Sequence, residues 1–435
     1  MDIIRGIIGL LFLLAVGYAL SQNRKSIHWR VIWMGVLLQV IFGIAVFKVQ
    51  IINQGFSVLS SKFVAFLDFA RQGAVFLFGG LSVNSFSDAS AGHNLGFLFA
   101  FQALPTVIFF SAVTSGLYYL GILQKIVKGF AWLMVRTMRL SGSESLSASA
   151  NIFMGQTEAP LLVKPFIKNM TQSELFCLMT GGMSTLAGSV LDVYVGMLGG
   201  RDPASQASFA TYLLCASIMN APAAIVMSKL MMPEMEPDKI DARLQVNKEQ
   251  LGVNLMDALA SGVGDGVKLA LNIGAMLLAF IAMILAFNWM LGGIGDWVGV
   301  NEWIRTSSAG AYKGLGLEYI LGQVFRVFAF FMGVDWTESL QVGSLLGKKM
   351  VLNEFLAYAD LTTFKEGGFL SEKAVLISTF ALCGFANFSS IAIQIGGIGG
   401  MAENRKGDLS KLGMRSMIAA FLATMMSATI AGAIF

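Results

Sequence analysis

Charge is what this chain has least of. Only 13% of its 435 residues are Asp, Glu, Lys or Arg, about half the ~25% usual for soluble domains. With 56% hydrophobic residues and a mean hydropathy of +0.70, that deficit excludes an ordinary soluble domain. Cysteine is also scarce. Cys177, Cys215 and Cys383 all lie inside apolar runs, which argues against a disulfide framework and a Cys-rich metal site. The two histidines, His28 and His93, are far apart and lack metal-ligand spacing. A net charge of +4 is too mild to suggest nucleic-acid binding, and the basic residues read better as topology signals. The polar–apolar alternation of a membrane β-barrel is missing. So are low-complexity tracts and any large soluble domain.

What is present is a series of continuous apolar runs of about 18–25 residues, the length that crosses ~30 Å of hydrocarbon. They predict an all-α polytopic membrane protein with eight transmembrane helices at 3–20, 31–48, 95–120, 172–198, 208–231, 254–290, 371–398 and 411–434. The first run reads as a span rather than a secretory signal, because it is long, Asp2 precedes Arg5, and further spans follow. Residues 51–76 and 121–141 read as amphipathic surface helices, the second with Lys125, Lys128, Arg136 and Arg139 along an apolar stripe. Residues 233–252 form the one plainly aqueous connector.

The basic residues set the orientation. Arg24, Lys25 and Arg30 lie in the first loop, Lys239, Arg243 and Lys248 in the connector, and Arg405, Lys406, Lys411 and Arg415 in the last loop. With eight alternating spans all three groups fall on one side. The positive-inside rule makes that side cytoplasmic and puts both termini outside. The less basic loops 199–207 and 291–316 then face outward.

The parts repeat. The first set runs 121–141, then NIFMGQTEAPLLVKPF (151–166), then a span carrying GGMSTLAGSV (181–190), then a plain span. The second runs 317–333, then KMVLNEFLAYADL (349–361), then a span carrying LCGFANFSSIA (382–392), then a plain span. Three spans separate the two starts, so the second unit enters from the opposite face. This predicts an inverted repeat with two re-entrant helical hairpins and helices broken at the midplane, an arrangement transporters use to build a site. Irregular backbone survives at membrane depth only when buried in protein or lining a cavity. Pro160, Pro165 and Gly384 are residues that interrupt helices.

Each hairpin tip carries one acid. A charged side chain at membrane depth costs roughly 2.5–3.5 kcal/mol even on a lenient insertion scale. Glu158, beside Gln156 and Thr157, reads either as an acceptor for solute hydroxyls and amides or as the partner of Lys164. Glu354 has the same two readings, with Lys348 or Lys349 as the structural partner. Asn387, Ser389 and Ser390 could read a sugar's hydroxyls or simply join helices. Phe385 beside them could pack on a sugar or base, or serve as core. GGMSTLAGSV is either a close-packing face or, with Thr185 and Asn151, an oxygen cage for a hard cation. Asp265 and Lys268 read as an intrahelical pair.

Five strings, NIFMGQTEAPLLVKPF, STLAGSVL, KLALNIGAML, LNEFLAY and LCGFANFSSIAI, occur in that order, and with them the whole chain resembles a concentrative nucleoside transporter of the bacterial sodium-coupled type. The resemblance implies an inner-membrane homotrimer in lipid that imports a nucleoside such as uridine by symport with sodium, and no enzymatic activity. Each protomer would have scaffold at 1–120, a first transport repeat at 121–232, connector and sixth scaffold span at 233–290, and a second transport repeat at 291–435. The transport part would move against the scaffold as an elevator. Gln156, Thr157 and Glu158 would face the base, with Val190 and Leu269 packed near it. Glu354, Asn387 and Ser390 would hold the ribose beside Phe385. Sodium would take Asn151, Met154, Thr185 and Leu186, the Met and Leu through backbone carbonyls. Thr185 stands where the family commonly has Ser. Proton coupling, another small polar metabolite, a passive channel, and a membrane enzyme using Glu158 and Glu354 as acid and base are the rival expectations.

Overall fold

The computed structural model describes residues 2–82, 98–200, 202–241, 243–244, 252–308 and 310–435, and among these every regular element is helical. Helices α1 (Asp2–Ala19), α2 (Trp29–Lys48) and α3 (Gln50–Phe78) open the chain. A short α4 (Phe99–Gln102) leads into α5 (Leu104–Tyr119), followed by α6 (Ile122–Met138). The first hairpin is α7 (Gly142–Ala150), an irregular tip, and α8 (Lys164–Ile167). Next come α9 (Gln172–Ser184), α10 (Gly188–Gly199), α11 (Pro203–Met231) and α12 (Leu255–Val298). After α13 (Asn301–Ser307) and α14 (Leu317–Phe331), the second hairpin is α15 (Ser339–Val351) and α16 (Glu354–Glu366). The chain closes with α17 (Glu372–Leu382), α18 (Phe388–Met401) and α19 (Lys406–Ile434).

Both spans expected to break do so. The run 172–198 is α9 and α10 around Thr185–Ala187, and 371–398 is α17 and α18 around Cys383–Asn387. One expectation needs correction. Helix α12 continues to Val298 and α13 follows, so much of 291–316 is helix rather than loop. Helix α3 forms with the following turn a segment of 33 residues that is by length and composition also apolar enough to cross a membrane, so length alone does not decide between that and the expected surface position. His93, Lys248, residues 95–97 of the third expected span, and residues 242 and 245–251 of the connector lie outside the described residues.

Local sequence sets the helix starts. Ser141 and Glu144 form a reciprocal capping box at α7, and Thr171 and Glu174 form another at α9. Each satisfies two backbone donors that a helix start leaves open. Asn353 and Asn387 cap α16 and α18 through their side chains.

Packing separates an inner from an outer layer. The most apolar windows of α11 and α19 are 78% and 83% buried, those of α3 and α12 only 12% and 17%. Helices α11 and α19 are thus the axis on which both repeats pack, and α12 presents Leu271, Leu278, Leu285 and Trp289 outward. The long contact of α12 is with α5, through small residues. A Cβ on Gly266 would come within 2.7 Å of the Ile108 Cα, and one on Gly262 within 2.8 Å of the Ala112 Cα. Small residues let backbones approach this closely in membranes.

Charges are buried around both hairpins. Lys229, at the end of α11, pairs with Glu144, lies 3.8 Å from Glu234 and donates to Ser173 Oγ at 2.8 Å. This ties the bases of α7 and α9 to α11. The connector adds a backbone bond, Gly142 N–H to the Asp241 carbonyl at 2.8 Å. At the second hairpin Lys348 pairs with Asp360 and, at 3.2 Å, with Glu318 of α14.

Candidate functional site

The chain leaves α7 at Asn151 and runs irregularly to Glu158. Asn151 is buried, and neither its amide oxygen nor its amide nitrogen has a hydrogen-bond partner among the described residues. Buried unmade bonds cost about 1–3 kcal/mol each, so such an amide marks a place for something else to bind. Its nitrogen lies 3.1 Å from where a Cβ on Gly181 would stand, which puts it on the last turn of α9. There Thr185 Oγ1 donates to the Gly181 carbonyl at 3.1 Å. Gly155, next to Met154, faces Ala187, next to Leu186. Met154 and Leu186 are buried. The residues expected to hold sodium are therefore gathered in one corner, between the end of α7 and the end of α9. An amide oxygen, a hydroxyl and unwound backbone carbonyls are the hard donors such an ion takes.

Beyond this corner Gln156 is buried, Glu158 half-buried and Thr157 exposed. Glu158 accepts the Gly155 N–H at 3.3 Å. Gln156 reaches the other repeat, donating through Nε2 to Ser390 Oγ at 3.2 Å. Thr157 lies against α18, its Cγ2 3.2 Å from where a Cβ on Gly397 would stand. Val190 is buried on α10; Leu269 is half-buried on α12 beside the main apolar core.

In the second repeat Glu354 begins α16 and is 2% exposed. It accepts the Tyr194 hydroxyl at 3.0 Å and Asn387 Nδ2 at 3.1 Å. Among the described residues neither lysine neighbour makes an ion pair with Glu354: Lys348 goes to Glu318 and Asp360, and Lys349 to the Ala381 carbonyl and Thr424. Asn387 Oδ1 caps α18 by accepting Ser390 N–H at 2.9 Å and takes the Ser389 hydroxyl at 2.7 Å. Phe385 is half-buried in the break. Asp265 and Lys268 form the exposed intrahelical pair expected of them, 3.8 Å apart.

The two breaks touch. Gly384 has φ +156°, and a Cβ there would stand 2.7 Å from the Ser184 carbonyl oxygen. No larger residue fits between the crossing half-helices. The carbonyls near the end of α17 are satisfied by side chains: Tyr358 Oη donates to Thr379, Lys349 Nζ to Ala381 at 2.8 Å, and Asn220 Nδ2 to Cys383 at 2.7 Å. Freed backbone at membrane depth needs such partners.

Tyr194 and Gln394 bond two of the expected site residues, Glu354 and Gln156, and escaped sequence reasoning. Gln394 is fully buried on α18. Its Nε2 donates to Gln156 Oε1 at 3.3 Å and to the Met179 carbonyl at 3.0 Å, and its own oxygen is unpaired among the described residues. An amide seven residues past Asn387 inside an apolar run was the available signal. Tyr194 carried none, since one aromatic in a span looks like core.

Comparison with known proteins places this geometry. Residues 212–432 match the family model of the Na+ dependent nucleoside transporter C-terminus, residues 8–81 that of its N-terminus, and residues 100–201 a nucleoside recognition model. An uncharacterized transporter of Haemophilus influenzae is 41% identical over 99% of this chain and 98% of its own. Sodium/nucleoside cotransporter 1 of Mus musculus is 36% identical over 98% of this chain, which spans 63% of that longer protein. The structure of CNTnw in an inward-facing substrate-bound state superposes with a TM-score of 0.88 at 37% identity, covering 100% of this chain and 98% of the other.

Proposed function

Because this chain belongs to the sodium-dependent nucleoside transporter family, we propose that it imports nucleosides by symport with sodium, through movement of a transport part against a trimeric scaffold in a bacterial inner membrane. The observation that carries this reading is the junction of the two repeats. Gln156 bonds Ser390, Glu354 bonds Asn387, and beside them Asn151 offers an unpaired buried amide. Gln156, Thr157 and Glu158 read the base, with Val190 and Leu269 as apolar walls. Glu354, Asn387 and Ser390 take the ribose hydroxyls, with Phe385 alongside. A carboxylate accepts two hydroxyl donors well, and such charge-assisted bonds are about twice as strong as neutral ones.

Sodium in the Asn151, Met154, Thr185 and Leu186 corner fixes the first hairpin against α9 and holds Gln156 ready. What the ion adds to nucleoside affinity, the nucleoside adds to ion affinity. One inward charge gains about 2.3 kcal/mol per 100 mV, enough to accumulate a neutral solute several tens of fold. The scaffold is 1–120 with 233–290, and the two transport repeats are 121–232 and 291–435. We keep α3 on the membrane surface. If it crossed, Lys239 and Arg243 of the connector would fall on the side opposite Arg24 and Lys25, against the positive-inside rule.

Uptake of labelled uridine into proteoliposomes under sodium, proton and null gradients tests this. Uptake that follows sodium and stops when choline replaces it at fixed pH is the expected result. Uptake that follows the proton gradient would move the coupling to protons, and no accumulation of any nucleoside would remove the substrate class.

A further inference from the structure

Among the described residues three lysines are buried, and one differs from the others. Lys229 and Lys348 each face two carboxylates. Lys349 is fully buried, and among the described residues no carboxylate contacts it as an ion pair; Glu354 acts on it only at longer range. Its ammonium donates to the Ala381 carbonyl at 2.8 Å and to Thr424 Oγ1 at 3.0 Å, and lies 5.7 Å from the centre of the Phe421 ring. A carbonyl, a hydroxyl and an aromatic face are partners that suit a cation. An ionisable side chain at membrane depth with no contacting counter-ion is a functional hypothesis by default.

Its position has a counterpart. Lys349 is on the last turn of α15, and Ala381 on the last turn of α17. Two helix C-termini, each the negative end of its dipole, converge on the ammonium. In the first repeat the last turn of α9 meets the end of α7 in the same way, where Gly181 faces Asn151 and Ala148. That corner has no lysine, only the unpaired Asn151 amide. The inverted repeat thus produces two carbonyl-rich corners. One is filled by a side-chain cation, and the other is open to an ion from solution.

We propose that Lys349 is the second repeat's built-in cation, holding hairpin two against α17 and α19 as sodium holds hairpin one against α9. The comparison with sodium rests on the ion site proposed above, but the role of the ammonium is testable without it. Lys349 is a positioning residue. It sets the start of α16, five residues on, and so the place of Glu354.

The test uses full-length protein in proteoliposomes and three variants. Lys349→Met keeps length and bulk without charge, and Lys349→Gln keeps a hydrogen-bond donor without charge. Both are expected to lose uridine uptake by roughly tenfold or more, the least expected from losing a charge-assisted bond. Lys349→Ala deletes the equivalent of n-propylammonium. Adding that cation is expected to restore uptake, while 1-propanol, of similar size and uncharged, is not. If Lys349→Ala cannot be reconstituted, its melting temperature in detergent with each additive gives the same comparison. Near-native uptake by Lys349→Met, or equal rescue by propanol and propylammonium, overturns the proposal. A native protein whose uptake ignores sodium sinks the ion reading alone and leaves the propylammonium comparison to decide Lys349.

Discussion

At the scale of single residues, Glu158 is held by the local Gly155 N–H, whereas Glu354 is held by groups from elsewhere in the chain. Tyr194 of α10 donates to Glu354. A bond to a charged group contributes about 1.5–3 kcal/mol, so Tyr194→Phe is expected to raise the uridine KM by roughly tenfold or more with little loss of maximal rate. Uptake kinetics check this, and an unchanged KM would detach Tyr194 from the site. Gln394 occupies the carbonyl of Gln156, while the amide nitrogen of Gln156 donates to Ser390. In the proposed function Gln156 would then present a fixed N–H to the cargo. Lys cannot replace that geometry, but Leu merely removes it. Gln394→Leu is expected to narrow the preference between bases with a carbonyl and bases with an amino group at the facing edge. A competition series of uridine against cytidine and inosine against adenosine measures it.

Much of this was legible in sequence. Asn151, Gln156, Glu354, Asn387 and Ser390 stand out because polar residues are expensive in apolar runs, and the structure brings them together. The partners were not legible. Tyr194 and Lys349 lie 160 residues and 32 residues from the groups they bond, and periodicity carries no information about that pairing.

At the scale of elements, the breaks were readable from Gly384 and from Ser184–Thr185, because such residues disfavour helix continuation for local reasons. The extent of α12 was not, since an apolar helix gives no stop until Gly299 turns left-handed at φ +77°. Two elements carry specific loads. Helix α9 begins in a capping box whose Thr171 hydroxyl also donates to Glu234 at 2.8 Å. Thr171→Ala is expected to cost about 0.5–2 kcal/mol, seen as a lower melting temperature in detergent. Helix α12 packs on α5 through Gly262 and Gly266. Gly266→Leu is expected to force the pair apart and abolish assembly of active protein, while Gly264→Leu, where a Cβ meets nothing within 4 Å, is expected to be tolerated. Size-exclusion profiles of the two variants make the comparison.

At the scale of the whole molecule, the layering divides work. Exposed α3 and α12 surround a core built on α11 and α19, and hairpins from opposite faces meet inside it. If one sodium enters with each neutral nucleoside, uptake carries net charge inward. Imposing an inside-negative potential of 100 mV is expected to raise accumulation by the factor that about 2.3 kcal/mol gives, roughly fiftyfold. Accumulation indifferent to potential would mean an electroneutral exchange.

The bond from Gln156 to Ser390 joins residues 234 positions apart, and this has a consequence for biosynthesis. At roughly 5–20 residues per second, a ribosome needs roughly 10–50 s to reach Ser390 after Gln156 has emerged. For that interval the first hairpin and α9 sit in the bilayer without Gly384 against Ser184. A nascent chain stalled before its last fifth therefore presents open amide groups to lipid, which makes it a substrate for membrane quality control rather than a partly active carrier.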